Sequence, residues 1–424
     1  MYITKNPDFT DFFFALSMIN EYLTHTLPCG LKIAHIPTDS DVAYCGITVS
    51  AGSRDEANDC LGIAHFVEHT IFKGTTRRKA WHILNRMERV GGELNAFTSK
   101  EETTIYSIFP GDYYSRAIEL IADIVQNSIF PGKELDKERE VVLDEVASYR
   151  DMPSEAVYDD FEDLLFAGCG LGHNILGTED TLHRIGSAEC SRFLKNLYVP
   201  TNMVLFSYGN INFSTLCRLT ERYFGNMNHS LDRIARSSSS EFQTFHNIER
   251  IDTHQRHTIY GAPTFGMFNN GKYALSLLNN MLAGPGMNSL LNVALREKRG
   301  YVYSVDSSAT LYSDCGAFAI YFGCDAEHTR KCLDIIGRCI SDIADHGIDD
   351  KRLSMAKRQY IGQIIVANDN HENVALALGK NMLYFGRMST ITETSEKILA
   401  ITNDEIRNAA AMLTPVKAST LTLA

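Results

Sequence analysis

The sequence GIAHFVEHTIFKGT, residues 62–75, places two histidines and a glutamate within five positions. On a helix His65, Glu68 and His69 share one face, because residues three and four apart are neighbours there. Two imidazoles at positions i and i+4 can bind one zinc ion, with the carboxylate beside the metal. The spacing alone leaves a second interpretation open, in which the histidines lie on a solvated face or make ordinary core hydrogen bonds.

The sequence also suggests where this helix begins and ends. Asn58 or Asp59 could cap its first turn, because short polar side chains accept hydrogen bonds from the free backbone N–H groups. Gly74 is well placed to end it, since glycine tolerates the backbone conformation common just after a helix.

A catalytic zinc ion usually has three protein ligands and keeps a fourth position for water, so a further ligand is expected. In ELDKEREVVLDEV, residues 134–146, Glu138 and Glu145 are seven apart and therefore lie on one face of a helix. Either carboxylate could reach the histidines. The alternative is a charged outer face whose acids are balanced by Lys137 and Arg139.

Composition narrows the function. The ten cysteines are dispersed without a CxxC pair, which indicates reduced thiols and leaves histidine and carboxylate as the ligands of any metal. The formal net charge of -12 argues against affinity for nucleic acid or anionic lipid. No run approaches the roughly 18 apolar residues of a membrane helix. We expect a cytoplasmic protein without a signal peptide; Met18 is a possible start, with residues 1–17 an upstream extension.

The chain of 424 residues is long enough for two domains, and the same order of predicted elements occurs twice. Aligning YYSRAIELI with EHTRKCLDI sets an offset of 214, since Arg330 minus Arg116 is 214. The pattern predicts an α+β fold of two homologous domains, each an antiparallel β-sheet with helices packed on it, related by internal duplication.

The predicted boundaries follow from composition. A catalytic domain covers residues 18–227, a polar, serine-rich linker covers 228–250, and the homologous domain covers 251–424. At the offset of 214, the positions of the two histidines and the intervening glutamate fall on apolar or amide residues, and those of the two helix glutamates fall on an arginine and a glutamine. The second-copy residues are, in that order, Asn279, Leu282, Ala283, Arg352 and Gln359. Only the first copy therefore carries the polar cluster.

Three motifs together resemble a known family. HFVEHTIFKGT, GGELNAFTSKEETTIY and ELDKEREVVLDEV resemble the pitrilysin superfamily of inverted-motif zinc peptidases, in its short two-domain, processing-peptidase-like form. That superfamily includes insulin-degrading enzyme and the mitochondrial processing peptidase. Its signature is HxxEH with a ligating glutamate about 76 residues after the second histidine, and here 145 minus 69 is 76. The match continues through ILGTEDTL, YVPTNMVLFSYGNI and REKRGYVYSV, so it covers nearly the whole chain from TLPCGLKI onward.

The resemblance implies a zinc metalloendopeptidase with one Zn2+ per chain. His65, His69 and Glu145 are then the metal ligands, and Glu68 is the general base that acts on a zinc-activated water. Glu138 matches a supporting carboxylate near the metal, which fixes the geometry of a ligand.

The resemblance also implies how substrate binds. The segment LNAFTS is similar to the family's edge strand, where a peptide adds as a β-strand with Asn95 and Ala96 near the scissile bond. An ordinary internal strand is the alternative. In the second half, Arg296 and Tyr303 match an arginine and a tyrosine that hold the substrate backbone and stabilise the oxyanion.

Short members of this family dimerise to form a closed chamber, so a homodimer or a heterodimer with a related chain is expected. The first hypothesis is an endopeptidase that hydrolyses peptides or small unfolded proteins inside that chamber. The alternative is a noncatalytic or conditionally active subunit of a heterodimeric peptidase, against which the five intact metal-centre positions count. A zinc hydrolase of nonpeptide substrates is a third possibility, and it should lack a segment such as LNAFTS to which a peptide can add as a strand.

Overall fold

The computed structural model describes residues 22–227, Arg236 and residues 242–424. The possible start at Met18 and the extension 1–17 lie outside these residues, as does most of the serine-rich stretch. The helices are α1 (Ile63–Thr70), α2 (Ala80–Glu88), α3 (Tyr114–Asn127), α4 (Gly132–Arg150), α5 (Pro153–Leu165), α6 (Glu179–Arg184), α7 (Ser187–Leu197), α8 (Phe213–Phe224), α9 (Lys272–Ala283), α10 (Thr329–His346), α11 (Asp350–Ala367), α12 (His371–Phe385), α13 (Ile391–Ala400) and α14 (Asn403–Ala411), with a π-helix at Asn292–Glu297.

The described residues divide into two units. Those in Met1–Val146, Asn174–Arg236 and Val366–Thr392 form unit 1, and those in Ala147–His173, Ser237–Ile365 and Glu393–Ala424 form unit 2. None of the helices in the described ranges is both long and apolar enough to cross a membrane.

Each unit contains one mixed sheet. In unit 1 the strand order is β1-β2-β6-β3-β5-β4, and in unit 2 it is β7-β11-β8-β10-β9. The strands are β1 (Leu23–Thr26), β2 (Lys32–Pro37), β3 (Val42–Val49), β4 (Glu93–Thr98), β5 (Thr103–Pro110), β6 (Met203–Gly209), β7 (His246–Glu249), β8 (Arg256–Phe265), β9 (Val302–Leu311), β10 (Cys315–Cys324) and β11 (Ser419–Leu423). The α+β prediction is confirmed, and the two orders coincide strand for strand if β1 is set aside, as expected for a duplication.

The sequence predicted purely antiparallel sheets, but each sheet also contains one parallel pair. Strand β2 pairs in parallel with β6, and β7 pairs in parallel with β11, whereas the other pairs are antiparallel. In both units the chain passes through several helices before its last strand, β6 or β11, which enters the sheet beside β2 or β7. Such long crossovers permit parallel pairing, which a short turn does not.

Strand β6 explains the layering of unit 1. Its sequence MVLFSYG is almost entirely apolar, and all 7 residues are buried, as expected for a strand covered on both faces. Met203 and Leu205 belong to the core that includes α3. Val204 and Phe206 pack instead with Leu378 of α12. Helices therefore cover both faces of this sheet.

Unit 2 is built in the same way. Phe318 and Ile320 of β10 pack with Ile336 of α10 on one face of the sheet. On the other face, Phe161 of α5 packs with Ile259 of β8. Each sheet is thus covered on one side by a helix from the other half of the sequence, since α5 belongs to unit 2 and α12 to unit 1.

Because α5 belongs to unit 2 and α12 to unit 1, the compact units differ from the predicted sequence ranges 18–227 and 251–424. We call this the exchange of α5 and α12. Apolar periodicity shows that α5 and α12 bury one face, but it does not show which sheet covers that face. The predicted linker, 228–250, differs as well, because its end forms β7. That strand is four residues long and exposed along its length, so it carries no alternation that would mark it as a strand.

The packing of α12 on unit 1 yields a stability prediction. A Cβ atom on Gly379 would lie 2.5 Å from Oγ1 of Thr48 and 2.7 Å from Cδ1 of Phe206, both in the sheet below the helix. We expect Gly379→Ala to lower the free energy of unfolding by about 1–3 kcal/mol, because the helix must move off the sheet. Urea denaturation of the purified variant measures this.

The matched control is Gly362→Ala on α11. Gly362 is exposed, and an added Cβ meets nothing within 4 Å. This change should raise stability by up to about 1 kcal/mol, because alanine loses less backbone entropy than glycine in a helix. Equal effects of the two substitutions would contradict the packing described for α12.

Candidate metal centre

Helix α1 carries the histidine cluster, and a distant carboxylate caps it. Glu56 is buried and accepts hydrogen bonds from the backbone N–H groups of Gly62 (2.7 Å) and Ala64 (2.8 Å). A carboxylate at this position satisfies free donors and interacts favourably with the positive end of the helix dipole.

The predicted ends of this helix are therefore wrong. The residue before its first turn is Gly62, with a φ of 91°, and not Asn58 or Asp59. The helix ends at Thr70, four residues before Gly74. The chain between Glu56 and α1 folds back, and this lets a longer side chain reach the helix start from outside the local sequence window.

The structure brings three of the predicted residues together. His65, His69 and Glu145 each offer one ligand atom, and these atoms lie within 4.8 Å of one another. The Nε2 atoms of His65 and His69 are 3.8 Å and 3.5 Å from Oε2 of Glu145. Across the part of the chain that the structure describes, this is the one group of three or more such side chains close enough to hold a metal ion.

Glu138 lies on the other side of His69. Its Oε2 is 3.6 Å from Nδ1 of His69, and its Oε1 is 2.5 Å from the Nζ atom of Lys73. The carboxylate therefore faces the ring nitrogen that does not face Glu145. Sequence reasoning missed Lys73, although its position four residues after His69 was a signal that it could lie nearby.

The alternative view of the glutamates as a balanced outer face does not describe this helix. Lys137 pairs with Glu134 at 2.9 Å, and Arg139 pairs with Asp136 at 2.8 Å. The cations expected to neutralise the two glutamates thus have other partners. Glu138 instead turns towards α1.

The side chain of Glu68 extends from α1 to β4, the edge strand of the sheet. Burial raises the pKa of its carboxyl group, and Glu145 acts in the same direction. A hydrogen bond from Thr98 of β4 and the nearby His69 oppose this rise. Beside it, burial and the neighbouring His69 lower the pKa of His65 to about 4, so the His65 ring is neutral near pH 7.

The segment LNAFTS, most of which forms β4, is at the edge of its sheet, as the resemblance implied, and is not an internal strand. Within the described ranges β4 pairs only with β5, through partners such as Asn95 with Tyr106 and Ala96 with Ile105. One side of β4 therefore presents backbone donors and acceptors that another strand can use.

Arg296 and Tyr303 belong to unit 2. Arg296 is exposed on the π-helix. Tyr303 on β9 has 57% of its surface exposed, and its hydroxyl donates to Oδ1 of Asp325 at 3.2 Å. Both side chains are accessible, and their expected roles in binding substrate stay predictions.

Comparison with known proteins identifies the family of the chain. Residues 32–179 match the family described as "Insulinase (Peptidase family M16)", and residues 185–360 match "Peptidase M16 inactive domain". An uncharacterized zinc protease of Streptomyces coelicolor is 32% identical over 391 residues, which are 90% of this chain and 85% of that protein. The chain belongs to peptidase family M16.

Further relatives match this chain over nearly the whole length of both proteins. An uncharacterized zinc protease of Bacillus subtilis is 31% identical over 93% of this chain and 96% of its own length. The crystal structure of a peptidase M16 inactive domain from Pseudomonas fluorescens matches with a TM-score of 0.88 at 18% identity, over 95% of this chain and 98% of that one. A protease from Helicobacter pylori matches with a TM-score of 0.86 at 21% identity, over 95% and 99%.

The family match separates the two copies in the same way as the residues do. The match to the inactive domain covers α9, where, at the sequence offset of 214, Asn279, Leu282 and Ala283 align with His65, Glu68 and His69. These side chains offer no imidazole and no carboxylate. The M16 scaffold is thus present twice, with one set of candidate metal ligands among the residues described.

The cap on α1 can be tested by stability. We expect Glu56→Ala to lower the free energy of unfolding by about 1–3 kcal/mol, because two buried N–H groups lose their acceptor. Glu140→Ala on α4 is the control, since Glu140 is exposed. Thermal unfolding of both variants beside wild type measures the difference, and a similar small effect of both would show that Glu56 does not hold the helix.

Proposed function

We propose that the protein is a zinc-dependent endopeptidase in which His65, His69 and Glu145 bind one zinc ion. The observation that carries this proposal is the convergence of their three ligand atoms within 4.8 Å. Two imidazoles and one carboxylate are a donor set typical of catalytic zinc, which keeps its fourth position for water. The zinc protease relatives support the same chemistry.

Glu68 is the proposed general base. When bound, zinc supplies a Lewis acid that lowers the pKa of water and polarises a peptide carbonyl. Glu68 takes a proton from the attacking water and later gives it to the leaving amine. Burial suits the carboxyl group to this exchange because it makes the protonated form easier to reach, and the bond from Thr98 keeps the group in place.

Glu138 and Lys73 are proposed to hold His69. Glu138 faces Nδ1 of His69 at 3.6 Å, which favours the tautomer whose Nε2 lone pair points to the metal position. The ammonium group of Lys73 lies 2.5 Å from Oε1 of Glu138 and fixes the position of that carboxylate. Together they orient the ring without occupying the ligand positions.

Substrate peptides are proposed to add to the open side of β4, with Asn95 and Ala96 near the scissile bond. Backbone hydrogen bonds of this kind bind many sequences, so selectivity must come from side-chain pockets. Arg296 and Tyr303 would hold the substrate backbone and stabilise the oxyanion. A dimer, either of identical chains or with a related chain, would enclose the substrate, which limits it to peptides and small unfolded proteins.

The central test compares wild type with Glu68→Gln. Both should contain one zinc ion per chain by elemental analysis, because Glu68 is not a ligand. Cleavage of a quenched peptide mixture should fall by about 10²–10⁴-fold in the variant, because the proton transfer is lost. Equal cleavage by the variant would refute the mechanism.

The same assay tests the alternative of a conditionally active subunit. Wild type that contains zinc and is inert alone, but cleaves after a related chain is added, would identify a heterodimeric peptidase. Wild type that is active alone and elutes as a dimer would support the homodimer.

The role of Tyr303 is tested by removing its hydroxyl. We expect Tyr303→Phe to lower kcat by about 10²–10³-fold with little change in KM, because an oxyanion donor acts mainly in the transition state. Tyr273→Phe is the control, since this hydroxyl instead accepts a bond from Lys397 at 3.1 Å. A rise in KM with unchanged kcat would assign Tyr303 to ground-state binding instead.

A further inference from the structure

Unit 2 contains a cavity at the position that corresponds to the metal centre of unit 1. Its volume is about 500 Å³, within the range of small-molecule and peptide-terminus pockets. It lies between α9, the π-helix and α11. At the sequence offset of 214, Arg352 and Gln359 of α11 align with Glu138 and Glu145, and both line this cavity. We call it the α9–α11 cavity.

The charge of the α9–α11 cavity is opposite to that of the metal centre. Lys298, Arg299 and Arg352 line it, and no aspartate or glutamate does so among the described residues. Arg352 has one carboxylate neighbour, Asp349, at 3.3 Å, but both side chains are more than half exposed, so the pair is weak. In a chain of net charge -12, three cations around one cavity create a local attraction for an anion.

A buried hydroxyl adds a second, independent observation. Ser289 lines the cavity and is 6% exposed, and its Oγ has no hydrogen-bond partner among the described residues. A buried hydroxyl without a hydrogen-bond partner is unfavourable. The neighbouring amides of Asn288 and Gln359 bond to each other at 3.2 Å and 3.3 Å, so they do not satisfy it. An acceptor oxygen of a ligand would satisfy it once the side chain rotates towards the cavity, because the Oγ atom itself is shielded in this structure.

The rest of the wall is apolar. Met281, Leu290, Val293 and Met355 line the cavity, and Met355 is 62% exposed. Methionine side chains adapt to apolar groups of different shape. The cavity therefore suits a ligand that carries an apolar group next to its anionic group.

We propose that the α9–α11 cavity binds the C-terminal carboxylate of a peptide whose last side chain is apolar. The carboxylate meets the cationic wall and the Ser289 hydroxyl, and the side chain meets the methionines. The inference rests on the proposed peptidase function and defines a substrate class for it, peptides with a free, apolar C-terminus. The π-helix that forms one wall also carries Arg296, which is proposed to hold substrate.

The experiment measures binding without cleavage. Full-length Glu68→Gln protein is titrated into a fluorescein-labelled nonapeptide that ends in leucine, either as the free acid or as the C-terminal amide. We expect the free acid to bind about tenfold more tightly, by fluorescence anisotropy. Arg352→Gln and Ser289→Ala, each added to Glu68→Gln, should remove most of this preference and leave amide binding unchanged.

The matched control is Arg338→Gln on α10, an exposed arginine outside the α9–α11 cavity whose loss changes the net charge equally. It should keep the preference for the free acid. Equal affinity for acid and amide, or an equal loss in Arg338→Gln and Arg352→Gln, would overturn the proposal. Displacement of the peptide by octanoate at the peptide's own concentration would also overturn it, because the ligand would then be a simple amphiphilic carboxylate.

The outcome is separable from that of the proposed function. If wild type cleaves peptides but shows no free-acid preference, only the inference about the α9–α11 cavity fails. If the preference is present but wild type is inert with zinc bound, only the peptidase proposal fails.

Discussion

The approach of α4 to α1 governs the chemistry of unit 1, because it sets the distance from Glu145 to the two histidines at 3.5–3.8 Å. Apolar side chains pack the two helices together. Phe66 and Val67 on α1 and Val142 on α4 are fully buried in one core. The apolar faces fix the helices, and the polar faces then meet with little freedom. A metal ion would join groups that the core has already placed.

The duplication shows how one scaffold can serve opposite charges. In unit 1 the pair of helices brings Glu138 and Glu145 to the imidazoles of His65 and His69. In unit 2 the residues that align at the offset of 214 are Arg352 and Gln359, beside a cavity with no acidic residue among its described lining. The backbone arrangement is retained because the sheets and their covering helices are the same. Ligand chemistry depends on side chains that the core does not need, so it can diverge without loss of the fold.

How much the sequence could predict depends on whether a feature is local. The His65, Glu68 and His69 face follows from helical spacing, and the resemblance supplied Glu145 at the right separation. The exchange of α5 and α12 was not predictable, because periodicity identifies a buried face but not its partner. The cap by Glu56 was missed for a similar reason. It acts across a loop that no capping pattern describes.

The side chains of β4 alternate between the face that meets Glu68 and the opposite face. Thr98 bonds to Glu68, and Ala96 on the same face packs against the core that includes α1. Phe97 is on the opposite face, where its ring meets that of Tyr106 at 6.4 Å between centroids. Asn95 shares that opposite face, so its side chain points away from Glu68. In the proposed strand addition, Asn95 would therefore contact a substrate through its backbone groups and not through its side-chain amide.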